Sequence, residues 1–288
     1  MAVYEHGLPF SEILKINIDD GLERVKKNKA TCIIIDGSIG EGKTTLAIEI
    51  ADYINSTQNL PVVDLSNNKN AIQVAMGGKQ FSKKIKDCFL NNLPAIIYDE
   101  AGDYSKRGAM TQFNAFLNRI FDTYRALKIV VILVLPNMNV LDNTLFDNKI
   151  PRLILHLENR DTYGNFKGYS LHRAYYLRSQ MKKLEDKSFA YRIVDPNFYG
   201  QFLDLPRERQ KALDKLTIES KIGILDTIEL QIEGLIDRRE IANRIAKSVA
   251  WVTVVLTKLN IKPSKYVKKV AYYDKGIVGI LQDFIMNG

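Results

Sequence analysis

The sequence predicts an α/β protein. A mostly parallel sheet with an antiparallel edge is expected over residues 1–180, then a connecting segment (181–217) and a small all-α domain, with provision for a wing, over 218–288. Three observations carry this. A β-branched run, a glycine-rich turn and an apolar-periodic helix follow one another between Thr31 and Ile54. Further apolar runs of strand length then alternate with stretches of helical period, as when helices join the strands of one sheet and cover its faces. Beyond Pro196 and Pro206 the strand-like runs give way to helical periodicity.

In "TCIIIDGSIGEGKTTLAIEIADYI", Thr31 to Ile35 form the β-branched run of a parallel strand covered on both faces. Ile48, Ile50, Ala51 and Ile54 recur at helical spacing. Between them lie Gly37, Ser38, Ile39, Gly40, Glu41, Gly42, Lys43, Thr44 and Thr45, which match the phosphate-loop or Walker A pattern. The order has a chemical reason. Glycines let backbone N–H groups approach phosphate oxygens, and the helix N-terminus adds partial positive charge. In such a loop Lys43 reaches the β- and γ-phosphates of ATP, and the Thr44 hydroxyl coordinates Mg²⁺.

The second half of such a site is an acid at the end of another buried strand. "LPAIIYDEAGDYS" supplies it, with a strand at Ala95 to Tyr98 followed by Asp99 and Glu100. Asp99 is expected to hold Mg²⁺, directly or through water, and Glu100 to polarise the water that attacks the γ-phosphate. An acid directly after the Mg²⁺ aspartate resembles the additional-strand, catalytic-glutamate group of P-loop ATPases. That resemblance implies a RecA-like core in which an extra strand separates the P-loop strand from the strand of Asp99. No Asn-Lys-x-Asp guanine-reading motif occurs, which argues against a GTPase. A small-molecule kinase has no need of Glu100. ATP hydrolysis is the expected reaction.

"PVVDL" (61–65), a strand in "ALKIVVILVLPNMN" ending near Pro136, and "RLILHLENR" (152–160) are read as further strands. "NFKGYSLHRAYYL" is expected to return after a turn at "TYGN" as a hairpin partner of 152–160. Between Walker-type strands, "AMTQFNAFLNRIFDTYRALK" places Phe113, Phe116, Leu117, Ile120, Phe121 and Tyr124 on one helical face. The succession of an acidic pair, an arginine-bearing helix and a buried strand resembles the FtsK–HerA superfamily of DNA-pumping ATPases, including its small Zot-like forms on mobile elements. The resemblance covers the core at residues 30–180 and implies a homo-oligomeric ring in which one subunit's arginine completes its neighbour's site. Arg107, Arg119 and Arg125 are the candidates, since negative charge on the transferring phosphoryl group calls for a cation. The family usually carries a glutamine at the end of the strand after this helix. Here that place holds Leu135, Pro136 and Asn137, and Asn137 is taken as the substitute γ-phosphate sensor.

In "RREIANRIAKSVAWVTVVLTKLNI" (238–261), Ile241, Ala242 and Ile245 form the inner face of one helix. Lys247 and Ser248 make a tight turn with Ser248 as N-cap, and Val252 and Leu256 face inward from a second helix. This spacing resembles the helix-turn-helix of DNA-binding regulators. The resemblance implies that Ser248, Val249, Ala250, Trp251, Thr253 and Lys258 face double-stranded DNA. The following "KPSKYVKKVAYYDKG" is then a wing or basic extension on phosphates. A helical hairpin for protein contact is the alternative, and Trp251 suits it.

Composition bounds the rest. The chain has 288 residues, 46% apolar and 26% charged, an ordinary globular balance that argues against disorder. A net charge of +8 favours an anionic partner, nucleic acid or membrane surface, although surface lysines kept for solubility explain it equally well. The longest apolar run, Ile129 to Pro136, is too short to cross a bilayer, and the first residues lack the features of a secretory signal. A cytoplasmic protein is expected. His6, His156, His172, Cys32 and Cys88 show no metal-ligand spacing, so no zinc is expected, and both cysteines are read as free buried thiols. The expected function is a DNA translocase or packaging ATPase of a virus, plasmid or other mobile element. Two alternatives stand beside it: an ATP-dependent switch or recruitment regulator on DNA, and a Zot-like morphogenesis ATPase acting with a membrane-associated assembly complex.

Overall fold

A computed structural model of the chain describes residues 2–3, 9–67, 69–99, 114–115, 117–121, 128–158, 163–232, 234–267 and 270–287. The chain divides into two compact units, Met1–Ile218 and Glu219–Gly288. In the first, a short antiparallel pair (β1, Ala2–Val3; β2, Pro9–Phe10) precedes α1 (Glu12–Lys26), β3 (Thr31–Gly37) and α2 (Lys43–Ser56). Then come β4 (Val74–Met76), α3 (Gly78–Leu90), β5 (Ala95–Asp99) and helical residues 114–115 and 117–121 (α4). β6 (Val130–Val134), α5 (Asn143–Asp147), β7 (Pro151–Glu158), β8 (Gly164–Ser170), α6 (Leu171–Lys183), α7 (Ala190–Ile193) and β9 (Phe198–Phe202) follow. α8 (Arg207–Ile232) carries the chain into the second unit.

The main sheet has seven strands in the order β4-β5-β6-β3-β7-β8-β9. β4 to β7 pair in parallel, and β8 and β9 form the antiparallel edge. β6 therefore lies between the P-loop strand β3 and the Asp99 strand β5, the extra strand that the resemblance implied. Every residue of β3 is buried because both faces are covered. Ile33 and Ile35 join α1 and α2 on one face, while Cys32 and Ile34 join residues of α3, α4 and α6 on the other. Cys32 and Cys88 are buried free thiols, and burial pushes the Cys88 thiol up to about 12.

Two expectations need correction. Residues 61–65 are a loop, not a strand. Pro61 has no N–H, and the backbone of Val63 is spent on side chains: its N–H donates to Asp52 Oδ1 (2.7 Å) and its carbonyl accepts from Arg209 Nη2 (3.0 Å). Nor does the sheet stop at residue 180. β9, from the segment read as a connection, pairs with β8 through Gly164↔Phe202, Phe166↔Gly200 and Gly168↔Phe198.

The second unit is not all-α. β10 (Leu235–Asp237), β12 (Val270–Asp274) and β11 (Lys265–Val267) form an antiparallel sheet in the order β10-β12-β11. Tyr273 on β12 is buried and packs against its cross-strand partner Ile236 of β10, which supports that pairing. α9 (Arg238–Arg244), α10 (Val249–Lys258) and α11 (Ile277–Asn287) complete this core, with Ile241, Ala242, Ile245, Val252, Leu256 and Leu281 buried in it.

Candidate phosphate-binding site

β3 ends in Asp36 and Gly37, and the chain turns through three left-handed glycines before α2 begins at Lys43. Gly37 (φ 140°) cannot be replaced without conflict, because a Cβ would stand 2.7 Å from the Leu157 carbonyl oxygen. Gly40 (φ 91°) has nothing within 4 Å of such a Cβ, so its backbone is open to approach. Gly42 (φ 81°) is the N-cap of α2 and supplies no side-chain cap. The first-turn N–H groups of α2 thus have no side-chain acceptor at the cap, the setting in which an anion binds a helix N-terminus. Ser38 and Ile39 lie exposed on the loop, and Ile39 is 96% exposed. Glu41 is half-buried, and Thr45 is buried beneath the helix start.

Lys43 folds back along the loop, donating from Nζ to the carbonyls of Gly37 (2.7 Å) and Ser38 (2.6 Å). Burial lowers its pKa, and the charges of Asp36, Asp99 and Glu41 oppose that shift. Thr44 Oγ1 donates to Asp99 Oδ2 at 2.7 Å. Sheet order makes this possible. Asp99 is level with Val134 on β6, and Val134 is level with Ile35 on β3, so the acid and the loop emerge at the same end of the sheet. The donors fit the phosphates of a nucleotide, and the hydroxyl–carboxylate pair fits a hard cation such as Mg²⁺. The C-terminal end of a parallel sheet is also where open α/β folds bind ligands.

Asn137 follows β6 at this same end. Its Oδ1 accepts from Asn139 N–H (2.8 Å), which opens a short 3-10 turn over Met138–Val140. That bond orients the carboxamide and leaves Nδ2 as its donor end, the chemistry a phosphate oxygen needs. Arg119 is exposed on α4. Glu100, Arg107 and Arg125 lie outside the described residues.

Sequence reasoning missed the group behind the loop. Asp36 is 0% exposed. Its Oδ1 lies 2.8 Å from His156 Nδ1, and its Oδ2 accepts from Met138 N–H (2.9 Å) and from the Tyr191 hydroxyl. The signal was present as one charged residue ending the apolar run "IIID" and as His156 level with it on β7.

In the second unit, Ser248 is the N-cap of α10, accepting from Trp251 N–H at 3.1 Å. Val249, Ala250 and Lys258 are exposed, whereas Trp251 and Thr253 are half-buried. Trp251 packs at 6.5 Å from the Phe284 ring, and Lys247 Nζ stands 5.8 Å from the Trp251 ring. Among the described residues no helix is long and apolar enough to cross a membrane, and no cluster of three or more His, Cys, Asp or Glu is placed to hold a metal ion.

No family model and no curated protein matches this chain. Among solved structures it is similar to the flagellar accessory protein FlaH from Methanocaldococcus jannaschii, at 18% identity and a TM-score of 0.25. The match covers 53% of this chain and 84% of that one. A superposition at that score is too loose to transfer a function.

Proposed function

We propose that this chain is an ATP-hydrolysing P-loop protein of the FtsK–HerA type, with a RecA-like core, and that its second unit engages double-stranded DNA. The observation that supports the reading most is the Thr44–Asp99 hydrogen bond, which joins the phosphate loop to an acid on β5, beyond the intervening β6. In this reading Lys43 exchanges its two carbonyl acceptors for phosphate oxygens, and backbone N–H groups of the loop bind the same phosphates. Thr44 and Asp99 hold Mg²⁺, which when bound neutralises charge on the phosphates. Glu100 orients the attacking water and takes its proton, and Asn137 donates to the γ-phosphate. An arginine among Arg107, Arg119 and Arg125 of a neighbouring subunit supplies further positive charge, which makes the working form a ring. The test is titration of a fluorescent ATP analogue with Mg²⁺ into wild type and Lys43→Ala. The variant should stay folded and lose nucleotide binding, and equal affinity for both proteins would contradict the reading.

The DNA part is supported by the short turn between α9 and α10, by their shared core and by the net charge of +8. DNA translocation or packaging in a cytoplasm is the use we infer, with an ATP-dependent switch on DNA as its neighbour. One observation favours a second reading, in which this unit docks a protein. The exposed side of α10 is largely apolar, with Val249 42% and Val254 66% exposed. Its hydroxyls are bonded to the helix's own backbone: Thr253 donates to Val249 O and Thr257 to Thr253 O, each at 2.9 Å. ATPase rates with and without duplex DNA separate the two. No stimulation and no binding would leave protein docking, including a membrane-associated assembly complex, as the better reading.

A further inference from the structure

A carboxylate taken fully out of water is costly unless its oxygens are satisfied. Asp36 meets that condition with three donors from three separate pieces of chain. His156 comes from β7, Tyr191 from α7, and the Met138 N–H from the turn after β6. The His156 and Tyr191 rings stack at 3.4 Å between centroids and 7° between planes, so the donors brace one another. Burial and the charge of Asp36 hold the Tyr191 hydroxyl far above its usual pKa, which keeps it a donor. A network confined to the core would end there. This one reaches the backbone of the residue after Asn137, while Asp36 itself adjoins Gly37.

The same turn is held from two other sides. Arg178 of α6 donates to Asn139 Oδ1 (2.7 Å) and to the Leu141 carbonyl (2.6 Å). Asn114 of α4, 7% exposed, donates to the Val140 carbonyl (3.1 Å) and accepts from Asp142 N–H (3.0 Å). Residues 138–142 are thus tied to the P-loop strand through Asp36 and to the helix of Arg119 through Asn114.

We propose that Asp36 is a positioning residue for ATP hydrolysis: it fixes the turn after β6, and with it Asn137, relative to the phosphate loop, and Asn114 extends that hold to the helix of Arg119. The inference rests on the ATPase reading above. A turn held in register keeps Asn137 fixed at the end of the sheet from which the phosphate loop emerges. Loosening it costs turnover more than nucleotide affinity, because most binding contacts belong to the loop and Lys43.

The test is a double-mutant cycle on the full-length chain, measuring kcat by phosphate release and nucleotide Kd separately. Asp36→Asn should lower kcat by roughly tenfold to a hundredfold, with Kd for an ATP analogue nearly unchanged. Tyr191→Phe, which removes one hydroxyl and keeps the ring stacked on His156, should lower kcat by a smaller factor. Asn114→Ala should do the same. In an Asn137→Ala background, Asp36→Asn should cost almost nothing more, since both act on one contact. If Asp36→Asn does not fold, Tyr191→Phe combined with Asn137→Ala completes the cycle. Unchanged kcat in the folded variants, or full additivity with Asn137→Ala, overturns the inference. An inactive wild type would instead overturn the ATPase reading, and this inference with it.

Discussion

Thr44 and Asp99 share a hydrogen bond, and Glu100 is the next residue along; the proposed reading gives the two acids separable duties. Asp99→Asn removes a negative ligand and should weaken Mg²⁺-dependent nucleotide binding. Glu100→Gln keeps the shape and loses the base, so ATP should bind and remain unhydrolysed. A filter assay of retained ATP beside phosphate release distinguishes them, and identical behaviour of the two variants in ATP binding would contradict the division. The strand, the glycine-rich turn and the helix from Thr31 to Ser56 were legible because their pattern is local. Asp36 was not. Its partners Met138, His156 and Tyr191 lie 102, 120 and 155 residues away in sequence, and only the sheet order brings them together.

Among the elements, the β8–β9 pair shows what a local pattern conceals. Each glycine of this ladder faces a phenylalanine: Gly164 opposite Phe202, Gly200 opposite Phe166, Gly168 opposite Phe198. The rings lie across the glycines so closely that a Cβ on Gly200 would stand 2.1 Å from Phe166 Cζ, and one on Gly168 would stand 2.4 Å from Phe198 Cζ. Gly200→Val should therefore displace a buried ring and cost about 1–3 kcal/mol, read as a lower denaturant midpoint. An unchanged midpoint would show that the edge strand adds little. In the sequence "FYGQF" is short and lies between two prolines, so only the cross-strand pairing identifies it as a strand. "PVVDL" misleads in the opposite direction, because its apolar residues Val63 and Leu65 are buried in a loop. The β7–β8 hairpin was legible, since "TYGN" separates two runs that pair antiparallel.

For the whole molecule, the question is what the proposed hydrolysis would serve. If the second unit grips duplex phosphates, replacing Lys258, Lys262 and Lys265 by alanine should flatten the salt dependence of DNA binding by roughly one unit of log–log slope for each engaged lysine. A slope identical to wild type would remove these lysines from a DNA interface and favour the apolar face of α10 as a protein contact. The proposed ring and the proposed motor role on DNA both presuppose that the phosphate loop is an ATPase site, and one measurement addresses that directly: phosphate release from ATP with Mg²⁺, with and without duplex DNA, by wild type and Lys43→Ala at equal concentration. Steady turnover by wild type, raised by DNA and absent in Lys43→Ala, is the expected result. Turnover that survives Lys43→Ala, or none in wild type under any condition, would contradict it.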